Sequence, residues 1–160
     1  MIAPLLLACA TRGPADHGPT PAADVAPLEV TRIDGAALTR TFTRATGAPR
    51  IVSLFATWCE PCAEELPTLQ RVARARGIEV TLVSVDLPED APRVPPWLAS
   101  IGVTLPAYQY VDPELPTFLP KLMPGWPRVL PVTLVVGADG VPLRRFDGLT
   151  TEERLVRTLP

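Results

Sequence analysis

Residues 50–67, RIVSLFATWCEPCAEELP, decide the fold, because an apolar run leads there directly into two closely spaced cysteines. The first seven residues are almost continuously apolar and include β-branched side chains, which predicts a strand buried on both faces. Residues 59–76 place apolar side chains at helical spacing, and Gly77 supplies a helix stop. Residues 78–85, IEVTLVSV, predict a second buried strand. The stretch is therefore predicted to open a β-α-β unit with parallel strands.

The motif Trp58-Cys59-Glu60-Pro61-Cys62 falls where the first strand passes into the helix. This spacing brings the two thiols close enough to form a disulfide bond. Cys59 lies at the positive end of the helix, where free backbone N–H groups stabilise a thiolate and lower its pKa, so we expect Cys59 to be the nucleophile. Pro61 fits the first helical turn, where an N–H group is not needed. Cys62 is then the resolving thiol, and Glu60 between the cysteines tunes their potential.

Other uses of the two cysteines lack the ligands they need. A c-type haem site needs a histidine after the second cysteine, and Ala63 is there instead. A zinc site needs two further ligands, but the chain has neither a second CxxC motif nor a histidine pair. We therefore expect no metal and no cofactor. A purely structural disulfide is the remaining alternative.

Strand and helix patterns alternate along the rest of the chain. This alternation predicts an α/β fold whose central mixed sheet is flanked by helices, with an inserted αβ segment and a C-terminal β-hairpin plus helix. The predicted elements are strand 28–33 ended by a turn, weak helix 36–46, Pro-rich loop 86–96, helix 97–101, strand 107–111, helix 115–123, strand 132–136, strand 141–146 and a last helix capped by Thr150 or Thr151.

The N-terminal residues are typical of a targeting signal rather than of part of the folded domain. Residues 1–9, MIAPLLLAC, end in a pattern that resembles the bacterial lipobox, so Cys9 is a candidate for lipidation and membrane anchoring. The apolar run is short and no basic residue precedes it. Residues 10–27 are rich in Pro and Ala, contain the single histidine, His17, and are typical of an extended tether. The folded domain is predicted to span 28–160.

Composition limits the classes of partner. The chain has 160 residues, enough for one domain with a core. Its 15 basic and 17 acidic residues give a net charge of −2 (15 − 17), which argues against nucleic acid as a partner. Three cysteines are too few for a disulfide-stapled scaffold.

With its WCEPC motif and the elements that follow it, the chain resembles the TlpA/ResA group of membrane-tethered, extracytoplasmic, thioredoxin-like proteins over residues 28–159. The resemblance implies a thioredoxin fold and an enzyme that reduces protein disulfides outside the cytoplasm, often in apocytochrome c. It also implies protein thiols and disulfides as substrates, and re-reduction of the cysteine pair by a membrane electron donor of the CcdA/DsbD type.

The resemblance adds further site residues. Glu65 matches an acidic residue of the group that exchanges protons with the dithiol, although helical position alone suggests an exposed glutamate. Pro131 matches the cis-proline that lies against the CxxC motif, and the alternative is an ordinary trans-proline at a strand start. The resemblance implies that the backbone of Leu130, the residue before this proline, pairs with a bound substrate chain. Trp58 is expected to contact the substrate at the same site. Ser53 stands where the group often has Asn, so the resemblance does not imply a proton relay there, although a hydroxyl can still bridge a water molecule.

We therefore predict an extracytoplasmic thiol–disulfide oxidoreductase that uses Cys59, Cys62 and Glu65. One alternative is a thioredoxin-fold binding or chaperone module without redox turnover. The other is a thiol peroxidase, but its PxxxTxxC pattern is not met, because Val52 and Ala56 occupy the places of the proline and the threonine.

Overall fold

The computed structural model describes residues 28–159. The candidate lipidation site Cys9, the tether 10–27 and His17 lie outside the described residues. The elements in chain order are β1 (Val30–Ile33), α1 (Gly35–Thr43), β2 (Arg50–Phe55), α2 (Glu60–Arg76), β3 (Glu79–Ser84), a 3₁₀ helix (Pro88–Arg93), α3 (Val94–Ser100), β4 (Ala107–Tyr110), α4 (Leu115–Leu122), β5 (Val132–Val136), β6 (Pro142–Asp147) and α5 (Glu152–Thr158).

The strands form one six-stranded mixed sheet in the order β1-β4-β3-β2-β5-β6. The first four strands in this order are parallel to one another, whereas β5 is antiparallel to β2 and β6 is antiparallel to β5. The β2-α2-β3 unit and the closing hairpin are thus confirmed. In this order β2 lies in the interior of the sheet, so every one of its residues is buried.

Helices cover both faces of the sheet, which confirms the predicted layered fold. Ile51 and Phe55 of β2 belong to a core shared with α2, α3 and α5. Val52 and Leu54, which point the opposite way, belong to a second core shared with α1 and α4. The alternation of side chains along a strand accounts for this division.

The structure departs from the predicted elements in the Pro-rich stretch. Residues 88–93 form a 3₁₀ helix rather than a loop, and α3 begins at Val94 instead of Trp97. Pro95 and Pro96 fall in the first turn of α3, where the backbone N–H has no partner within the helix, so they are compatible with its start. Asp34, predicted as part of a turn, caps α1 by accepting a hydrogen bond from the Ala37 N–H at 2.7 Å.

Across residues 28–159, the structure contains no helix that combines the length and the apolar character needed to cross a bilayer.

Candidate redox site

Cys59 and Cys62 form a disulfide bond at the junction of β2 and α2, with an S–S distance of 2.02 Å and a Cα–Cα distance of 5.3 Å. Cys59 is the N-cap residue of α2, and its carbonyl accepts a hydrogen bond from the Cys62 N–H at 3.1 Å. Cys59 is 5% exposed and Cys62 is fully buried. Of the two cysteines only Cys59 has any exposed surface, and it lies at the positive end of the helix. Pro61 occupies the first turn as predicted.

Glu65, one turn after Cys62, is fully buried. Its carboxyl group accepts a hydrogen bond from the Thr150 N–H at 2.7 Å and a second one from the Thr133 hydroxyl. Burial raises the pKa of Glu65 above its ordinary value, and these two hydrogen bonds offset part of the rise. The side chain therefore has the environment of a group that can hold a proton inside the protein.

Ser53 extends the same buried network. Its hydroxyl lies 3.0 Å from the Thr133 hydroxyl, which in turn contacts Glu65. Ser53 and Thr133 face each other across the β2–β5 pair, and both are fully buried. Although the sequence suggested no proton relay at Ser53, the structure connects its hydroxyl to Glu65 through a single intervening side chain.

Asp86 is a residue of the site that sequence reasoning missed. It is 2% exposed and follows β3. Its carboxylate oxygens accept hydrogen bonds from the Thr57 N–H at 3.0 Å each and from the Thr57 and Ser84 hydroxyls at 2.7 Å each. Gln109 in turn donates to the Asp86 carbonyl at 2.7 Å. Asp86 thus fixes the backbone two residues before Cys59.

A sequence signal for Asp86 did exist. The carboxyl ends of neighbouring parallel strands meet at one edge of a sheet, and Asp86 follows the strand paired with β2. An acidic residue directly after β3 is therefore expected near the residues that follow β2, which are those of the CxxC motif.

The Leu130–Pro131 peptide bond is cis, as the resemblance implied. Pro131 is buried at the start of β5, and its carbonyl accepts a hydrogen bond from the Gly148 N–H at 2.8 Å. Leu130 is half-buried. Trp58, next to the reactive cysteine, is 71% exposed, and Glu60 is exposed too. A largely exposed tryptophan beside the disulfide is available for contact with another molecule.

A groove of about 220 Å³ begins at Trp58, and we call it the Trp58 groove. It brings together two of the predicted substrate-binding residues, Trp58 and Leu130, with residues of the inserted segment. Its walls are formed by Trp58, Val85, Pro116, Leu119, Trp126, Arg128 and Leu130. Trp126 thus lines the same groove as Trp58, the residue beside Cys59.

In residues 28–159, no cluster of three or more His, Cys, Asp or Glu side chains is arranged to hold a metal ion.

A thioredoxin-like sheet with a CxxC disulfide at the β2–α2 junction, and with a cis-proline at the start of the strand β5 that pairs with β2, defines the class of thiol–disulfide oxidoreductases. The geometry places the predicted nucleophile, resolving thiol and buried acid along the first two turns of one helix.

Comparisons with known proteins agree with this class, although no family model matches the chain. The chain is 26% identical over 111 residues to a thioredoxin of Mycolicibacterium smegmatis, with 69% of the chain and 75% of that protein aligned. It is 25% identical over 111 residues to the chloroplastic thioredoxin Y of Oryza sativa, with 69% of the chain and 49% of that protein aligned. The chain thus spans only about half of the rice protein.

Solved structures give the same result over more of the fold. A thioredoxin-related protein from Neisseria meningitidis has a TM-score of 0.58 at 25% identity, with 72% of this chain and 84% of that chain covered. A thiol:disulfide interchange protein from Chlorobium tepidum also has a TM-score of 0.58, at 24% identity, with 86% of this chain and 97% of that chain covered. The neighbours are thus thioredoxin-fold thiol:disulfide proteins, as the resemblance to the TlpA/ResA group implied, and the predicted fold is confirmed.

Proposed function

We propose that this chain is an extracytoplasmic thiol–disulfide oxidoreductase that reduces disulfide bonds in polypeptide substrates. The observation that carries the proposal is the asymmetry of the CxxC pair. Cys59 is the helix cap and keeps a small exposed fraction, 5%, while Cys62 is fully buried. This is the arrangement that a two-step exchange reaction requires.

The reaction begins from the dithiol form. The Cys59 thiolate attacks one sulfur of the substrate disulfide, so that a mixed disulfide forms and the other substrate sulfur leaves as a thiolate. Cys62 then loses its proton and attacks Cys59, which releases the second substrate thiol and forms the Cys59–Cys62 disulfide. Two electrons pass to the substrate, and the two protons of the original thiols end on the substrate sulfurs.

Glu65 is proposed to move the proton of Cys62. Cys62 is fully buried, so water cannot easily remove its proton during the second attack. Glu65 lies one helical turn away, and burial raises its pKa above the ordinary value, which favours the protonated form of its carboxyl group. Thr133 and Ser53 hold its orientation from the neighbouring strands.

The substrate is proposed to lie across Trp58 and Leu130. An extended substrate segment beside Pro131 pairs with the Leu130 backbone in the way that an added strand does. Apocytochrome c is the substrate that the TlpA/ResA resemblance suggests, and a CcdA/DsbD-type membrane protein is the corresponding electron donor. The lipobox-like end at Cys9 and the tether 10–27 support attachment to the outer face of a membrane.

Reduction of insulin by the purified protein, with dithiothreitol as electron source, tests the activity. We expect turnover in the wild type and none in Cys59→Ser. When reduced Cys62→Ser is mixed with insulin in the absence of dithiothreitol, the substrate should stay bound to Cys59 in a mixed disulfide, which mass spectrometry detects. Turnover that survives in Cys59→Ser would refute the assignment. If cellular function survives in the Cys59→Ser/Cys62→Ser double variant, the chain is instead a binding module.

The anchor is tested separately in cells that express the full chain. The wild type is expected in the membrane fraction and Cys9→Ser in the soluble fraction. An unchanged distribution would exclude lipidation at Cys9.

A further inference from the structure

Trp58 stands between two clefts of different character. On one side, Thr57, Trp58, Asp90, Arg93 and Trp97 form a cleft whose two charged groups neutralise each other, because Arg93 and Asp90 form an ion pair at 3.2 Å. On the other side is the Trp58 groove. Its only charged lining residue is Arg128, and the other lining residues are apolar.

The wall that carries Arg128 is held in place by the edge strand β6. Arg145 donates hydrogen bonds to the carbonyls of Pro124 at 3.0 Å and Gly125 at 3.1 Å, and the Trp126 indole donates to the Val129 carbonyl at 2.9 Å. These bonds fix the backbone on both sides of Arg128. The backbone that carries Arg128 is therefore preformed, so binding a partner here does not require this wall of the groove to become ordered.

Arg128 is also unusual in its backbone. Its φ of 63° is the one positive φ among the non-glycine residues in the described part of the chain. Glycine would adopt this conformation without strain, whereas the Cβ of an arginine makes it less favourable, so Arg128 costs stability here. Such strain concentrates at binding and catalytic sites. Within residues 28–159, none of the ion pairs involves Arg128.

We propose that the Trp58 groove selects substrate segments in which a large apolar side chain near the cystine is followed by an acidic residue. The apolar side chain enters the groove between Trp58 and Trp126, and the carboxylate pairs with Arg128. The groove is continuous with Leu130, so one extended segment can occupy both. This inference rests on the proposed function, because it assigns substrate preference to the same site.

Two synthetic disulfide peptides test this preference. Both carry Phe next to the cystine, and they differ only in whether Asp or Lys follows the Phe. In dithiothreitol-driven reduction by the wild type, we expect the KM for the Asp peptide to be lower by about fivefold, the upper range for an exposed ion pair. Arg128→Ala should nearly abolish the difference, and Arg128→Glu should reverse it, with the change in KM rather than kcat.

Lys121 provides a matched control, because it is an exposed cation on α4 of the same inserted segment but does not line the groove. Lys121→Glu should leave the preference unchanged. Raising the salt concentration to about 0.5 M should reduce the preference in the wild type, since exposed charges are screened. Equal KM values for the two peptides in the wild type, or a preference that persists in Arg128→Glu, would overturn the inference.

A binding measurement separates this inference from the proposed function. Cysteine-free versions of the two peptides, labelled with a fluorophore, are titrated with the Cys59→Ser/Cys62→Ser protein and followed by anisotropy. Tighter binding of the Asp peptide without any catalytic turnover of the disulfide peptides would refute the reductase and retain the groove. Turnover of both peptides without a binding preference would retain the reductase and refute the groove.

Discussion

Replacement of Asp86 tests whether the fold holds the cysteine motif through a buried carboxylate. In Asp86→Ala, the Thr57 N–H, the Thr57 hydroxyl and the Ser84 hydroxyl all lose their acceptor. Ser84 is fully buried and Thr57 is partly buried, so the Thr57 hydroxyl can turn toward solvent while the other two groups cannot. Each buried polar group left unpaired costs about 1–3 kcal/mol.

The expected loss of unfolding free energy for Asp86→Ala is therefore about 2–6 kcal/mol, from two unpaired groups. Asp86→Asn keeps one carbonyl oxygen for Thr57 and should lose less, about 1–2 kcal/mol. Ser84→Ala removes one donor to the Asp86 carboxylate and also the acceptor of the Asp86 N–H, so it should cost about 1–3 kcal/mol. Urea unfolding of the disulfide form of each variant, monitored by circular dichroism, gives the three values in one experiment.

Activity provides the second measurement, made at urea concentrations where each variant is fully folded. Because Asp86 fixes the residue two positions before Cys59, Asp86→Ala should lower the rate of insulin reduction, and Asp86→Asn should recover most of it. A loss below about 1 kcal/mol in Asp86→Ala, with an unchanged rate, would show that the hydrogen bonds to Thr57 neither stabilise the fold nor position the cysteines.

Two further substitutions test other parts of the structure. Glu65→Gln should slow disulfide exchange. It should also remove the pH dependence that titration of Glu65, whose pKa is raised, gives to the rate. Insulin reduction measured between pH 5 and 9 at ~one-unit steps tests both effects. Gly140→Ala should unfold at a clearly lower urea concentration than Gly148→Ala. Both residues have φ above 80°, so the backbone strain is shared, but only at Gly140 would the new methyl group overlap the Thr43 carbonyl. Equal midpoints for the two glycine variants would contradict this reading of the hairpin.

The sequence predicted the centre of the site because its signals are local. The apolar strand, the CxxC spacing and the helix that follows all lie within residues 50–76, so periodicity and helix-end preferences were sufficient. The cis bond before Pro131 came only from the family resemblance, since an isolated sequence gives little information on the isomer of a proline bond.

The burial of Glu65 could not be derived from its own helix. Its two hydrogen-bond partners, Thr133 and Thr150, are 68 and 85 residues away along the chain. They reach it only because β5 pairs with β2 and because α5 begins above that pair. The link between Thr57 and Asp86 spans 29 residues and depends in the same way on the pairing of β2 with β3.

The inserted segment was the least predictable part, because its prolines give conflicting signals. Proline breaks the interior of a helix but is favoured in the first turn. Whether Pro95 and Pro116 end an element or begin one depends on where the preceding residues pack. In the structure both lie in first turns, of α3 and α4.

Two carboxyl groups are buried on either side of β2, yet their environments predict opposite effects on stability. Asp86 accepts hydrogen bonds from three different donor groups, so its neutral replacement should destabilise the protein. Glu65 has two donors and a raised pKa. A raised pKa in the folded state means that the folded protein binds this proton more tightly than the unfolded chain does.

The contribution of Glu65 to stability is therefore complete below the unfolded pKa near 4.5 and is lost as the pH rises through the folded pKa. Glutamine resembles the protonated acid and can accept from the Thr150 N–H while contacting Thr133. Glu65→Gln should thus match the wild type in acid and exceed it in stability at neutral pH. A gain in stability at neutral pH together with a loss of activity would mark Glu65 as a functional acid, because a side chain that lowers stability at neutral pH does not serve the fold. A loss of stability at neutral pH would instead make Glu65 a structural residue like Asp86.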